Sequence, residues 1–162
     1  MATSLKSLSD YSSKNLQGAK DKVFAIVVSE WNDTVTEALY EGAYETLLQN
    51  GVKKENIVKR YVPGSYELTL GAQWMAERDD IDAVICLGCV IQGETRHFDF
   101  ICDAVANGIT NVNLKYNKPV IFGVLTPDTM KQALDRAGGK HGNKGDEAAI
   151  TAVKMLGLKE TL

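Results

Sequence analysis

Apolar residues in this chain fall into two kinds of run, and the two kinds alternate. Residues 23–28, 57–62, 81–90 and 119–125 are short blocks in which apolar side chains follow one another with few interruptions. Blocks of that length, bounded by turn residues, predict strands buried on both faces, as in parallel sheets. Between the blocks, apolar positions recur every three or four residues. Val35, Leu39, Ala43 and Leu47 form one stripe, and Leu68, Ala72, Met75 and Ala76 a second. Phe98, Ile101, Cys102, Val105, Ile109 and Val112 form a third, and Ala149, Ile150, Val153 and Leu156 a fourth. This spacing predicts helices with one buried face. The boundaries carry their own chemistry. Asn32 or Asp33 can cap the first helix, and Thr34 with Glu37 has capping-box spacing. Gly51 stops that helix. Pro63-Gly64 ends the second strand, and a helix is predicted over 65–78. Thr95 stands at an N-cap position, Pro127 opens a helix over 127–137, and the glycine-rich stretch 138–145 reads as a loop before the last helix. Residues 1–15 lack periodicity and read as a flexible arm. Residues 16–162 read as a single domain, in which 16–18 are too short to assign.

Strand and helix alternate throughout, with short connections. That order predicts a central parallel sheet with helices on both faces. With right-handed crossovers it becomes a flavodoxin-like three-layer α/β/α sandwich. A chain of 162 residues is long enough for one well-filled core. A net charge of −3 gives no case for binding nucleic acid. No apolar run approaches the roughly 20 residues that span a bilayer, so no membrane partner is expected. The N-terminal stretch is Ser- and Lys-rich and has no apolar core of a signal peptide. Three cysteines in such a chain predict reduced thiols and a cytoplasmic location. Cys86 and Cys89 form a C-x-x-C, but residues three apart on a strand point to opposite faces, so they read as apolar fillers rather than metal ligands.

Polar groups collect where the predicted strands end. Trp31-Asn32 follow the first, Ser65-Tyr66-Glu67 the second, and residues 92–97 the third, so a parallel sheet brings them to one edge. Phe122, in the fourth strand, is expected near the same edge. Ligands bind at the carboxyl ends of such strands. Gly88 to Thr95 nearly matches a phosphate-binding P-loop, but Glu94 stands where lysine belongs, which excludes an NTPase. A glycine turn opening a helix still suits one phosphate through the N–H groups of Glu94 and Thr95; equally, it is a common strand-to-helix turn. His97 can move protons near neutrality or merely sit at a helix start. Glu67 can accept from hydroxyls or complement a helix dipole. Arg136 can clamp a phosphate or neutralise a helix C-terminus. Trp31 can stack on a flat ring or pack in an interface, and Lys144 can meet an anion or be a plain loop lysine.

Taken together the segments resemble the lumazine synthase family. The resemblance rests on Trp31-Asn32, on Pro63-Gly64-Ser65-Tyr66-Glu67, on residues 88–99 with Gly93-Glu94-Thr95-Arg96-His97-Phe98-Asp99, on residues 119–126, and on residues 136–145 with Arg136-Ala137-Gly138 and Gly142-Asn143-Lys144-Gly145. It spans about residues 16–158. It implies condensation of 5-amino-6-(D-ribitylamino)uracil with 3,4-dihydroxy-2-butanone 4-phosphate to 6,7-dimethyl-8-ribityllumazine, phosphate and water, the penultimate step of riboflavin biosynthesis. It implies no metal and no organic cofactor. By resemblance Trp31 stacks on the pyrimidine with Phe122 against it from another subunit. Asn32, Ser65, Tyr66, Glu67 and Lys144 hold substrate, and Cys89, Val90 and Ile91 contribute main-chain contacts. Glu94, Thr95 and Arg136 hold the phosphate, and His97 shuttles protons. The site lies between neighbours in a homopentamer, with Arg136 and Phe122 supplied by the neighbour.

Two departures matter. Trp31 stands where phenylalanine is commoner in the family, so a larger surface for flavin-like rings is expected. The N-terminal arm is longer than usual; in the family a segment near Leu16 adds to the neighbour's sheet. Pentamer-only members of the family tend to carry extra residues between the last two helices, so by resemblance the compact glycine stretch 138–145 implies an icosahedral shell of twelve pentamers. A phosphosugar- or FMN-handling flavodoxin-like protein, and a flavin-binding or shell-forming protein without catalysis, remain the alternatives at this point.

Overall fold

A computed structural model of the chain describes residues 19–162. The expected arm and the segment 16–18 lie outside these residues. The four apolar blocks are strands: β1 (Phe24–Ser29), β2 (Ile57–Val62), β3 (Ala83–Cys89) and β4 (Val120–Leu125). All neighbours pair in parallel, in the order β2-β1-β3-β4. Every residue of β1 and β3 is buried. Those strands lack polar alternation because helices cover both of their faces. β2 is an edge strand, and its exposed residues are Arg60 and Tyr61.

The helices are α1 (Asp33–Gln49), α2 (Leu68–Ala76), α3 (His97–Tyr116), α4 (Met130–Leu134) and α5 (Lys144–Glu160). Leu39, Leu47, Ala149 and Val153 of α1 and α5 pack with Phe24, Ile26, Ile85 and Leu87 on one side of the sheet. Leu68, Ala72, Val105 and Ile109 of α2 and α3 pack with Ala25, Val27, Val84 and Cys86 on the other. Adjacent strand residues thus feed opposite cores, which is the period-two rule at work. The result is the expected flavodoxin-like α/β/α sandwich. Cys86 and Cys89 fall in opposite layers. Burial pushes their thiols up, to about 12 and about 11.

Several boundaries differ from the expected ones. α1 begins after Asn32, whose backbone is left-handed (φ 62°) and whose side chain caps nothing. Glu37 does not close a capping box; its carboxylate accepts from Lys59 Nζ at 2.7 Å and from the Tyr61 hydroxyl at 2.8 Å. α2 starts at Leu68 rather than Ser65, because residues 65–67 form a turn in which Leu68 N–H reaches the Ser65 carbonyl. Arg96, not Thr95, is the N-cap of α3, and Thr95 Oγ1 accepts a long bond from His97 N–H at 3.4 Å. Pro127 does not open a helix. Thr129 caps the single turn of α4 through its hydroxyl, which accepts from Gln132 N–H at 3.2 Å. The glycine stretch is not a loop: β5 (Ala137–Gly139) and β6 (Gly142–Asn143) pair antiparallel, and Lys144 and Gly145 already belong to α5.

Candidate active site

β1 and β3 lie side by side, yet the helices that follow them cover opposite faces of the sheet. Such a reversal leaves a crevice at the carboxyl ends of the two strands. A concave surface of about 570 Å³ occupies it. Trp31 and Asn32 line it from β1, residues 64–67 from the turn after β2, Cys89, Val90 and Ile91 from β3, and His97 and Ile101 from α3.

The turns are tied together before any ligand arrives. Glu30 N–H donates to the Val62 carbonyl at 2.9 Å and Trp31 N–H to the Pro63 carbonyl at 3.2 Å. The Asn32 side-chain amide donates to the Cys89 carbonyl at 2.9 Å. Trp31 is therefore held at its root while the residue stays 73 % exposed, an arrangement that leaves an aromatic face open for stacking.

Main-chain bookkeeping finds the groups left over for a ligand. Val90 N–H donates to the Leu125 carbonyl and Gln92 N–H to the Pro127 carbonyl, while the Cys89 carbonyl is occupied by Asn32. The Val90 carbonyl and the Ile91 N–H have no partner among the described residues. An acceptor and a donor in sequence suit the N–H/C=O edge of a pyrimidinedione. Ser65 is buried, and its hydroxyl has no hydrogen-bond partner among the described residues. Tyr66 and Glu67 are exposed beside it.

Residues 92–97 form an exposed turn into the 20-residue helix α3. His97 is its first residue and reaches the crevice. Glu94 and Thr95 do not line it; they sit on the turn, and their N–H groups have no acceptor among the described residues. Free amides ahead of a long helix suit an anion.

Phe122, Arg136 and Lys144 are elsewhere. They line a second concave surface of about 620 Å³ along the edge strand β4, with Gln132 and Glu147. No residue lines both surfaces. Phe122 does not reach the strand-end crevice, because it is the third residue of six in β4 and sits opposite Cys86 rather than at the carboxyl end. Arg136 Nη1 donates to the Gln132 carbonyl at 3.0 Å, and no carboxylate lies within 4 Å of the guanidinium among the described residues. Lys144 differs: its ammonium donates to Glu147 at 2.5 Å, both side chains being largely buried. The charge that this surface offers an anion is chiefly that of Arg136.

Gln132, Asn143 and Glu147 were not candidates on sequence. Gln132 and Glu147 carry no spacing signal of their own. Asn143 had one, standing immediately before the helical stripe of α5, and it caps that helix by accepting from Gly145 N–H at 2.8 Å.

Comparison with known proteins shows which family the chain resembles. A family model described as 6,7-dimethyl-8-ribityllumazine synthase matches residues 21–160. A protein of that name from Cytophaga hutchinsonii is 66 % identical over 156 residues, covering 96 % of this chain and 98 % of its own. One from Parabacteroides distasonis is 56 % identical with the same coverage. One from Porphyromonas gingivalis is 53 % identical over 159 residues, covering 98 % of this chain and 99 % of its own.

Proposed function

The chain belongs to the 6,7-dimethyl-8-ribityllumazine synthase family and is an enzyme of riboflavin biosynthesis, and from that premise we propose that its two concave surfaces are complementary halves of one site, joined where two copies of the chain meet. The reaction condenses 5-amino-6-(D-ribitylamino)uracil with 3,4-dihydroxy-2-butanone 4-phosphate. The observation that carries the proposal is the separation of Trp31 and His97 from Phe122 and Arg136, with no residue shared between the surfaces. Exposed apolar side chains at both, Trp31 and Tyr66 at one and Phe122 at the other, support contact with another copy. A ring of five copies is the assembly we assign, and twelve such rings the shell. The three free thiols fit a reducing cytosol.

In this reading the pyrimidine stacks on Trp31 from below, with Phe122 of the neighbouring copy on its other face. The Val90 carbonyl and Ile91 N–H take its polar edge, and Ser65, Tyr66 and Glu67 take the ribityl hydroxyls. The phosphate lies between the Glu94 and Thr95 N–H groups and the neighbour's Arg136. The amine of the pyrimidine attacks the ketone, giving a carbinolamine that loses water to an imine. Phosphate leaves as its C–O bond breaks, a second carbonyl forms by tautomerisation, and the second amine closes the ring with loss of another water. His97 takes and returns the protons at these carbonyl carbons. Both reactants are reactive by themselves, so holding them together supplies most of the acceleration.

Mixing tests the proposal. Trp31→Ala and Arg136→Ala each damage one half, so with the pyrimidine well below saturation each alone is expected to be impaired, Arg136→Ala almost completely. Co-assembled, they place an intact half against an intact half at some contacts, and activity returns in the mixture. No recovery on co-assembly would place both halves of a working site in one chain.

A further inference from the structure

Arg136 and Lys144 are eight residues apart but adjacent in space, because β5 and β6 fold back on each other with Ala137 opposite Asn143. Lys144 N–H donates to the Arg136 carbonyl at 2.9 Å. This hairpin has little core of its own: its residues are exposed or half-buried. Ala137 packs against the core, and the polar tie from the hairpin to α1 is the Asn143 side chain. The amide oxygen accepts from Gly145 N–H at 2.8 Å, and the amide nitrogen donates at 2.8 Å to the Ala38 carbonyl in the second turn of α1.

The space for that bridge is built from both sides. A Cβ on Gly42 of α1 would lie 2.5 Å from Asn143 Cγ and Nδ2, and would also strike the Asp146 carboxylate. A Cβ on Gly145 would overlap the Leu39 carbonyl. Glycine at 42 and 145 therefore lets α5 and α1 approach until one short amide spans them. Of the side chains that cap a helix well, asparagine alone carries its acceptor and its donor on separate atoms, so that one can take the cap N–H while the other reaches a facing carbonyl. Aspartate lacks the donor at neutral pH, and serine lacks the reach.

We infer that Asn143 is a positioning residue for the phosphate-bearing substrate: by bridging α5 to α1 it fixes where Arg136, tied to the hairpin through its main chain, presents its guanidinium, without touching substrate itself. The inference rests on the reading of Arg136 as the phosphate clamp. A cation held a fraction of an ångström away from its best position still leaves the fold intact but binds the phosphate less well. The effect belongs in KM for that substrate and not in the stacking of the pyrimidine on Trp31.

Two variants approach the bridge from opposite sides. Asn143→Ser keeps a capping hydroxyl and loses the reach to Ala38. Gly42→Ala wedges the space from α1, although alanine favours a helix by about 1 kcal/mol over glycine, so any loss cannot come from helix propensity. Both are expected to raise KM for 3,4-dihydroxy-2-butanone 4-phosphate about tenfold or more, as small misplacements do. Neither should shift the titration of Trp31 fluorescence by a pyrimidinedione analogue by more than about twofold. Wild-type KM for the phosphate substrate in either folded variant, with that KM lost in Arg136→Ala, overturns the inference and leaves the clamp standing. Wild-type KM in Arg136→Ala itself overturns the clamp and the inference with it.

Discussion

The side-chain amide of Asn32 donates to the main-chain carbonyl of Cys89 across 2.9 Å, joining residues 57 apart in the chain. The bond ties the start of α1 to the end of β3. It fixes the Trp31 shelf relative to the free groups of Val90 and Ile91. It also uses one of the two amide protons that Asn32 could offer a substrate, so much of this residue's contribution is to hold the crevice together.

Asn32 stands at φ 62°, where a residue with Cβ other than Asn or Asp pays about 1–2 kcal/mol. Asn32→Ala meets that penalty and loses a hydrogen bond of about 1 kcal/mol. Asn32→Gly loses the bond but tolerates the backbone. Chemical denaturation is expected to find the alanine variant the less stable of the two, by about 1 kcal/mol. Equal stabilities would mean that the left-handed turn relaxes freely.

Removing the indole probes stacking. Trp31→Ala should weaken binding of a pyrimidinedione analogue or of riboflavin by roughly 1–3 kcal/mol, by analogy with base–aromatic stacking. In the wild type the ligand should quench Trp31 emission, a signal that Trp74, outside both concave surfaces, cannot supply. A Trp31→Phe variant should retain part of the affinity. Unchanged affinity in the alanine variant would assign Trp31 to an interface instead.

Arg136 and His97 should fail differently. Loss of a charge-assisted clamp on a desolvated phosphate costs about 2–4 kcal/mol, so Arg136→Ala should nearly abolish turnover and weaken the phosphate substrate. Arg136→Lys should recover only part, because an ammonium lacks the planar fork. His97→Ala should slow turnover about 10–100-fold, with the phosphate substrate's apparent affinity little changed. Steady-state kinetics with each substrate varied in turn would reverse the two assignments if His97→Ala were inactive and Arg136→Ala nearly normal.

The Asp146 carboxyl, near the α1–α5 junction, is raised above the usual carboxylate range by its burial, with Glu45 and Glu147 adding to the effect and its own backbone N–H opposing it. A raised acid binds its proton more tightly in the folded state, so its ionisation at neutral pH destabilises the fold; that penalty fades as pH falls through the raised folded value and is gone below the unfolded one. Asp146→Asn is therefore expected to melt higher than wild type at pH 7, with the difference closing toward pH 4. Thermal melts across that range check the sign; a variant less stable at pH 7 than at pH 4, relative to wild type, contradicts it.

The layers of the fold were legible because β1 and β3, buried on both faces, leave an uninterrupted apolar trace, and the stripes of α1 and α5 are regular over four turns. The strand-end groups were legible for the same reason: once β1, β2 and β3 are located, their carboxyl ends follow. Boundaries set by single side chains were not. Pro127 carries an N1 signal as strong as any, yet its carbonyl accepts from Gln92 N–H at 3.0 Å, a long-range bond that periodicity does not encode. The glycines at 138–145 read as a loop because glycine signals permissiveness, whereas Gly145 is there for close packing against Leu39. Asn143 was hidden as a cap by the loop reading of 138–145, and as a bridge because its second partner, Ala38, lies 105 residues away. Phe122 was misplaced on the chain's own surface because strand position, not residue type, decides which concavity a side chain enters.

Two unlike concavities on one chain have an arithmetic consequence. If copies meet front to back, an open row ends in a stacking shelf that faces no cation and, at the other end, a cation that faces no shelf. Closing the row adds a complete site without adding a chain. Opening a ring by dilution would then remove activity in whole-site steps while every chain stays folded, so specific activity would fall with concentration before any unfolding signal moved.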